Sequence, residues 1–228
     1  NGHINDTFLL NYRSPDGCNK KYILQRMNRE IFKNPRELME NVIGVTSYLR
    51  KQIIKSGGDP ERETLNFLPA CDGESYYVDS KGNYWRVCGF VVDTTFLERL
   101  DSPDVFYQSA VAFCNFQGLL SDYPAHTLHE TIVNFHNTVS RFEDFKKAVN
   151  EDVCGRAKEV EAVIKFAMDW EQDAAVVVNM QASGELPLRV THNDTKLNNV
   201  LLDRKTGRAI CVIDLDTVMP GLAVNDFG

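Results

Sequence analysis

Short apolar runs alternate with turn residues over the first part of the chain, and longer helical spacings follow. Residues 7–12 and 21–27 are apolar-rich runs separated by Ser14-Pro15-Asp16-Gly17, a strong turn signal, and together they predict a β-hairpin. From Pro35 the period changes. Leu38, Val42, Val45, Leu49 and Ile53 recur at spacings of four, three, four and four, which places them on one face of a helix. Asn34 suits its N-cap, Pro35 its first turn and Glu37 the positive end of its dipole, while Ser56-Gly57-Gly58-Asp59-Pro60 ends it. Two more strands are expected near 75–78 and 83–92, joined by Asp79-Ser80-Lys81-Gly82.

After Val92 the texture is helical. Ser102-Pro103 opens a helix over 102–120, and further helices are expected over 128–135 and 156–181, the last being the longest. Strands return at 188–191, and at 199–202 and 209–213, where they flank Asp203-Arg204-Lys205-Thr206-Gly207. The predicted class is α+β: a small β-rich lobe over 1–93, then a larger, mainly helical lobe over 94–228 that carries a β-hairpin.

Composition narrows the partners. The chain has 228 residues, 43% of them hydrophobic, enough for a sizeable core. Its 25 Lys and Arg against 32 Asp and Glu give a net charge of −7, which argues against nucleic acid as the main partner. No apolar run reaches the roughly 18 residues of a membrane span, and no basic-then-apolar leader is present, so no membrane association is expected. The six cysteines show no CxxC spacing; they read as buried free thiols, and a reducing cytoplasm follows. Both ends read as cut, so a fragment of a longer chain is expected.

The chemistry concentrates in His192-Asn193-Asp194-Thr195-Lys196-Leu197-Asn198-Asn199, a polar loop between two predicted strands. The hairpin after it returns Asp214 alongside. An Asp and an Asn on one loop, with a second Asp brought back beside them, is the set that phosphoryl transfer needs. One carboxylate takes or orients the acceptor's hydroxyl proton; an amide and a carboxylate hold magnesium against nucleotide phosphates. His126, His129 and His136 lack a companion set for zinc, and no GxSxG or GxxxxGK[ST] run is present.

Several blocks carry a resemblance. They are Gly2-His3-Ile4-Asn5, Tyr22-Ile23-Leu24-Gln25-Arg26-Met27-Asn28, Arg141-Phe142-Glu143-Asp144-Phe145, the stretch from Leu188 to Asn199, and Ile213-Asp214-Leu215-Asp216-Thr217-Val218-Met219-Pro220-Gly221. In these the chain resembles the aminoglycoside phosphotransferase and choline kinase-like family, and within it the N-acetylhexosamine 1-kinases. The resemblance implies a protein-kinase-like bilobal fold, ATP and Mg2+ as cofactors, and a small-molecule sugar as acceptor. It makes Asp194 the catalytic base and Asn199 and Asp214 the magnesium ligands. Asp226, although it stands in Asp226-Phe227-Gly228, reads as structural, because the metal-binding Asp should close the strand after the hairpin.

The remaining assignments stay open at this point. Asp216, two residues after Asp214, would point to the same side of an extended chain and assist the metal or the acceptor, or else be a solvated loop carboxylate. His3 and Asn5 could donate hydrogen bonds to phosphates from the loop before the first hairpin. The strand expected to carry a phosphate-reaching lysine has none, so Gln25 or Arg26 must substitute, and only one of them can face the site; Glu37 or Glu40 could pair with Arg26. Phe90 and Val91, in Cys88-Gly89-Phe90-Val91-Val92, would lie at a crossover against an adenine ring. The expected activity is transfer of the γ-phosphoryl group of ATP to the anomeric hydroxyl of N-acetylglucosamine or N-acetylgalactosamine. The alternatives are a kinase for another sugar, an aminoglycoside, choline or an amino alcohol, and a non-catalytic nucleotide- or sugar-binding module.

Overall fold

Ser14-Pro15-Asp16-Gly17 turns the chain as expected. Gly17 sits at φ 88°, a left-handed conformation that costs glycine little, and its N–H donates to Ser14 O at 2.9 Å. The computed structural model describes residues 4–96 and 102–227. In it strands β1 (Asp6–Arg13) and β2 (Asn19–Arg26) pair antiparallel with Thr7 opposite Gln25 and Asp6 opposite Arg26.

Helix α1 (Pro35–Lys55) follows, its first turn capped by Asn34, whose Oδ1 accepts from Glu37 N–H. The face read from the sequence is the buried one: Leu38, Val42, Val45, Leu49 and Ile53 are all sequestered, each worth about 1.5–3 kcal/mol on burial. One polar residue shares it. Asn41 donates to His129 O at 2.8 Å and Val218 O at 3.0 Å and accepts from His129 N–H at 2.8 Å, so it ties α1 to two distant segments. Then come the short α2 (Pro60–Glu63), β3 (Phe67–Leu68), β4 (Tyr77–Val78) and β5 (Tyr84–Gly89). Strand β5 pairs with β2, so the first sheet runs β1-β2-β5-β3, with β4 also on β5.

Two compact units divide the chain: Asn1–Thr131 with Arg189–Gly228, and Ile132–Leu188. The first continues through β6 (Thr94–Thr95) and α3 (Pro103–Leu119), the latter capped by Ser102 as expected. The second unit holds α4 (Thr138–Glu151), α5 (Glu161–Asp169), α6 (Glu171–Ala174) and α7 (Val176–Ala182). Here the helix expected over 128–135 does not form. The N–H and C=O of His129 are held by Asn41, and Asn134 lies at φ 58°, so the chain becomes helical only from Thr138. The long helix expected over 156–181 is broken into short ones; Trp170 N–H and Ala175 N–H bond three residues back and close successive turns.

The first unit resumes with β7 (Arg189–Thr191), β8 (Val200–Asp203), β9 (Ala209–Val212), β10 (Met219–Gly221) and α8 (Val224–Phe227). β6, β8 and β9 make a second sheet, and β10 pairs with β7. The β8–β9 turn is built on Asp203, whose carboxylate accepts from Thr206 N–H and from Arg62, holding its pKa down at about 2. Beneath β8 and β9 lie Phe113 and Phe116 of α3 with Val200, Leu202 and Val212, a core that fixes the loop between β7 and β8 from below. All six cysteines are free, as expected, but only Cys88 and Cys211 are buried.

Candidate active site

The loop between β7 and β8 is held by its backbone. His192 is buried and packs edge-on against Phe113 and Phe116. Burial lowers its pKa, so the ring is neutral; its Nε2 donates to Ile213 O at 2.9 Å and its Nδ1 accepts from Asp194 N–H at 3.3 Å. Asn193 takes a left-handed φ of 65°, which Asn tolerates, and its amide donates to Thr191 O and Thr217 O. Below the loop, the Asp226 carboxylate accepts the N–H groups of His192 and Asn193 at 2.7 Å each, and Gln117 Nε2 at 2.9 Å. Asp226 is a structural anchor, as its position in the sequence implied.

On this base Asp194 and Asn199 meet. Asn199 Nδ2 donates to Asp194 O at 2.9 Å and to Asp194 Oδ2 at 3.0 Å, while Lys196 Nζ lies 2.6 Å from the same Oδ2. One oxygen of Asp194 is thereby occupied and the other is left to meet a hydroxyl. Asn199 keeps its Oδ1, the atom that a hard cation takes. Asp214 ends the hairpin in a left-handed conformation, φ 60° and ψ 56°, and starts a single 3-10 turn over Leu215–Thr217. Burial pushes the Asp214 carboxyl above its ordinary value, and the Asp216 and Asp194 carboxylates push the same way, partly offset by Lys196 and Arg86. A divalent cation bound at Asp214 would relieve the repulsion that the two neighbouring carboxylates exert on it. Among the described residues no three His, Cys, Asp or Glu side chains gather as a cage, and a cation sharing Asn199, Asp214 and phosphate oxygens needs none.

A cavity of about 490 Å3 opens beside these residues, within the range of small-ligand sites. Asn199 and Asp214 are part of its lining, as are the apolar side chains of Phe90, Val91, Ile23, Leu201 and Ile213. Asn5 and Gln25 also reach it. His3 lies outside the described residues.

Strand alternation puts Gln25 and Arg26 on opposite sides of the sheet. Gln25 faces the cavity; Arg26 faces the other way, exposed, and pairs with Asp6 across the hairpin at 2.7 Å. Neither Glu37 nor Glu40 is its partner; Glu40 pairs with Arg36 and His129 instead. Asn5 is not an idle donor, because its Nδ2 is bonded to Asp216 Oδ2 at 2.6 Å and its Oδ1 to Asn28 N–H at 2.9 Å. Asp216 is no solvated carboxylate, being 3% exposed, and the 3-10 turn replaces the extended path that would have aimed it with Asp214. It is paired with Arg86, whose Nη2 stands 2.5 Å from Asp216 Oδ1 as an ion pair out of line for a hydrogen bond. Arg86 is the residue the motifs missed. A lone charge in Tyr84-Trp85-Arg86-Val87-Cys88, a strand leading to the crossover, was the signal available.

The whole chain, residues 1–228, matches the model of APH, the phosphotransferase enzyme family. The chain belongs to that family. Three solved structures share the fold at low identity. An aminoglycoside phosphotransferase from Alicyclobacillus acidocaldarius is 12% identical, with TM-score 0.58 over 98% of this chain and 65% of its own. An amicoumacin kinase in complex with AMP-PNP and Ca2+ is 12% identical, with TM-score 0.58 over 100% of this chain and 60% of its own. An ethanolamine kinase from Plasmodium vivax is 16% identical, with TM-score 0.50 over 97% of this chain and 56% of its own. The chain thus spans less than two thirds of the length of these phosphotransferase relatives. Its fold is the kinase-like one of the family: a small antiparallel sheet followed by a helical region, in the α+β class.

Proposed function

We propose that the protein is an ATP- and Mg2+-dependent kinase that phosphorylates the anomeric hydroxyl of an N-acetylhexosamine, giving the 1-phosphate. The observation that carries the kinase reading is that Asn199 and Asp214 line one cavity together with apolar side chains, and that Asn199 holds Asp194 by a hydrogen bond to its carboxylate. The apolar side chains of Phe90 and Val91 in the lining suit a nucleobase, and residues 1–93 act as the nucleotide-binding lobe with 94–228 as the catalytic lobe. Asp194 takes the proton of the acceptor hydroxyl on its unoccupied oxygen as that hydroxyl oxygen bonds to the γ-phosphorus and the bond to the ADP oxygen breaks. Base assistance of this kind is worth about 10²- to 10⁴-fold. Asn199 and Asp214 would hold Mg2+, which neutralises phosphate charge when bound. Lys196 keeps Asp194 in place between turnovers.

The acetamido-sugar acceptor rests on the resemblance of the loop and hairpin blocks. On this reading the kinase is cytoplasmic and acts on a free small molecule; no helix among the described residues is long and apolar enough to cross a membrane. The test is ADP release by the complete natural protein with Mg-ATP and N-acetylglucosamine, N-acetylgalactosamine, galactose, choline or kanamycin, with phosphorus NMR of any product. A 1-phosphate from the acetamido sugars is the expected result. Turnover on choline or kanamycin alone would remove the sugar and keep the kinase; nucleotide binding without turnover on any acceptor would favour a binding module.

A further inference from the structure

A buried cation lines the cavity, and no motif marks it. Arg86 lies mid-strand on β5, 4% exposed, in a row across the sheet with Gln25 of β2 and Thr7 of β1. The row is hydrogen-bonded: Arg86 Nε donates to Gln25 Oε1 at 3.0 Å, and Gln25 Nε2 to Thr7 Oγ1 at 3.3 Å. Asp216 holds the guanidinium from the other side, and Phe67 lies under it with its ring centre 5.4 Å away. We propose that Arg86 binds the polyphosphate of the nucleotide, with Asp216 as its positioning partner. This rests on the nucleotide reading given above.

Three observations support it. The first concerns donors. Of the five N–H groups of a guanidinium, one goes to Gln25, one faces Asp216, and one meets only the weak acceptor Met39 Sδ at 3.8 Å. Two are left for a ligand, and the planar fork matches phosphate oxygens. The second concerns competing groups. Asn5 is bonded to Asp216 and Asn28, Lys196 to Asp194, and Arg26 faces away, while Arg204, also on the cavity wall, donates to Thr94 O beside the crossover. Among the described residues, Arg86 is therefore the cavity cation closest in structure to the Asp214 turn, because its partner Asp216 sits in that turn. The third concerns cost. Burying a guanidinium and a carboxylate together gives little or no net stability over apolar side chains of the same size, so the pair's value to the protein lies in where it holds the charge.

The geometry also couples the two ends of the phosphate site. Asp216 takes Arg86 on one oxygen and Asn5 on the other, so the loop before β1, strand β5 and the Asp214 turn share one carboxylate. Helix α1 contributes no acidic partner to this cation; its contact with Arg86 is the thioether of Met39.

The test compares affinities of the complete natural protein for adenosine, ADP and ATP by calorimetry, without added divalent metal. Arg86→Met is expected to lose about 10- to 100-fold in affinity for ADP and ATP while adenosine changes less than about twofold, with Arg86→Lys between Met and wild type. Equal losses for adenosine and ADP would show a structural role and overturn the proposal, as would unchanged ADP affinity. Because breaking a buried pair can unfold the protein, a second measurement uses the wild type. The Arg86 Nε–H resonance, assigned by its absence in Arg86→Lys, should shift on adding ADP and not on adding adenosine. If ADP binds and that resonance stays put, the proposal fails and the nucleotide reading stands. If wild type binds none of the three, the nucleotide reading fails and takes this one with it.

Discussion

The Asp226 carboxylate is the support under the loop that carries Asp194, and removing it has a calculable effect. It accepts two backbone N–H groups at 2.7 Å and the Gln117 amide at 2.9 Å. Asp226→Ala leaves both N–H groups without that acceptor. An unsatisfied donor costs about 1–3 kcal/mol, and this site is only partly buried, so the loss should be about 3 kcal/mol. In a domain of this size that lowers Tm by roughly 6–12 °C. Asp226→Asn keeps one acceptor oxygen and should fall between the alanine variant and wild type. Activity should drop further than stability alone explains, because a shift of the next residue, Asp194, by about 1 Å can cost about 10²-fold in rate. Circular dichroism melts and ADP-release kinetics at a temperature where all three proteins are folded separate the two effects. If Asp226→Ala keeps both the wild-type Tm and the wild-type kcat, the anchoring argument is wrong.

Three further outcomes follow from the same geometry. Asp214 has a folded pKa raised above its ordinary 3.8, so its contribution to stability is present below that value and is lost as pH rises through the raised one. Asp214→Asn, which cannot ionise, should therefore melt higher than wild type at pH 7 without divalent cation, with the gain closing as pH falls toward 3.8; a lower Tm at pH 7 would contradict the burial argument. Arg26→Ala should change stability by less than about 1 kcal/mol, since both partners of its ion pair are about half exposed, and should leave ADP affinity unchanged in a calorimetric titration. Cys88, pushed up to about 11 by burial, and Cys211, pushed higher, should resist Ellman's reagent, so native protein should release colour from four thiols and guanidinium-unfolded protein from six; rapid reaction of a fifth would refute the burial of that pair.

The sequence was legible where local physics decides structure. The first hairpin, α1 with its Asn34 cap, α3 with its Ser102 cap and the β8–β9 hairpin all carry their own turn or capping chemistry. The loop from His192 to Asn199 was readable for a different reason: three chemically loaded residues sit between two strands, and the hairpin geometry returns Asp214 to them. Illegible features depend on contacts distant in sequence. Strands β3, β6 and β10 hold two or three residues each, too few for a period to show. The helix expected over 128–135 is prevented by Asn41, a side chain on α1, which takes up the backbone of His129. Arg86 and Asp216 meet only after β5 and the Asp214 turn have come together. Spacing along the chain could not show that Asn5 and Asp216 are bonded to each other.

The central claim is that Asp194 performs chemistry at a nucleotide site formed with Asn199 and Asp214. Asp194→Asn keeps the size and most hydrogen bonds of the side chain and removes the base. The decisive measurement is therefore single-turnover phosphoryl transfer by this variant beside its calorimetric Kd for Mg-ATP. The expected result is a rate at least about 10²-fold below wild type with Kd within about threefold. A variant that binds Mg-ATP normally and turns over at the wild-type rate would contradict it.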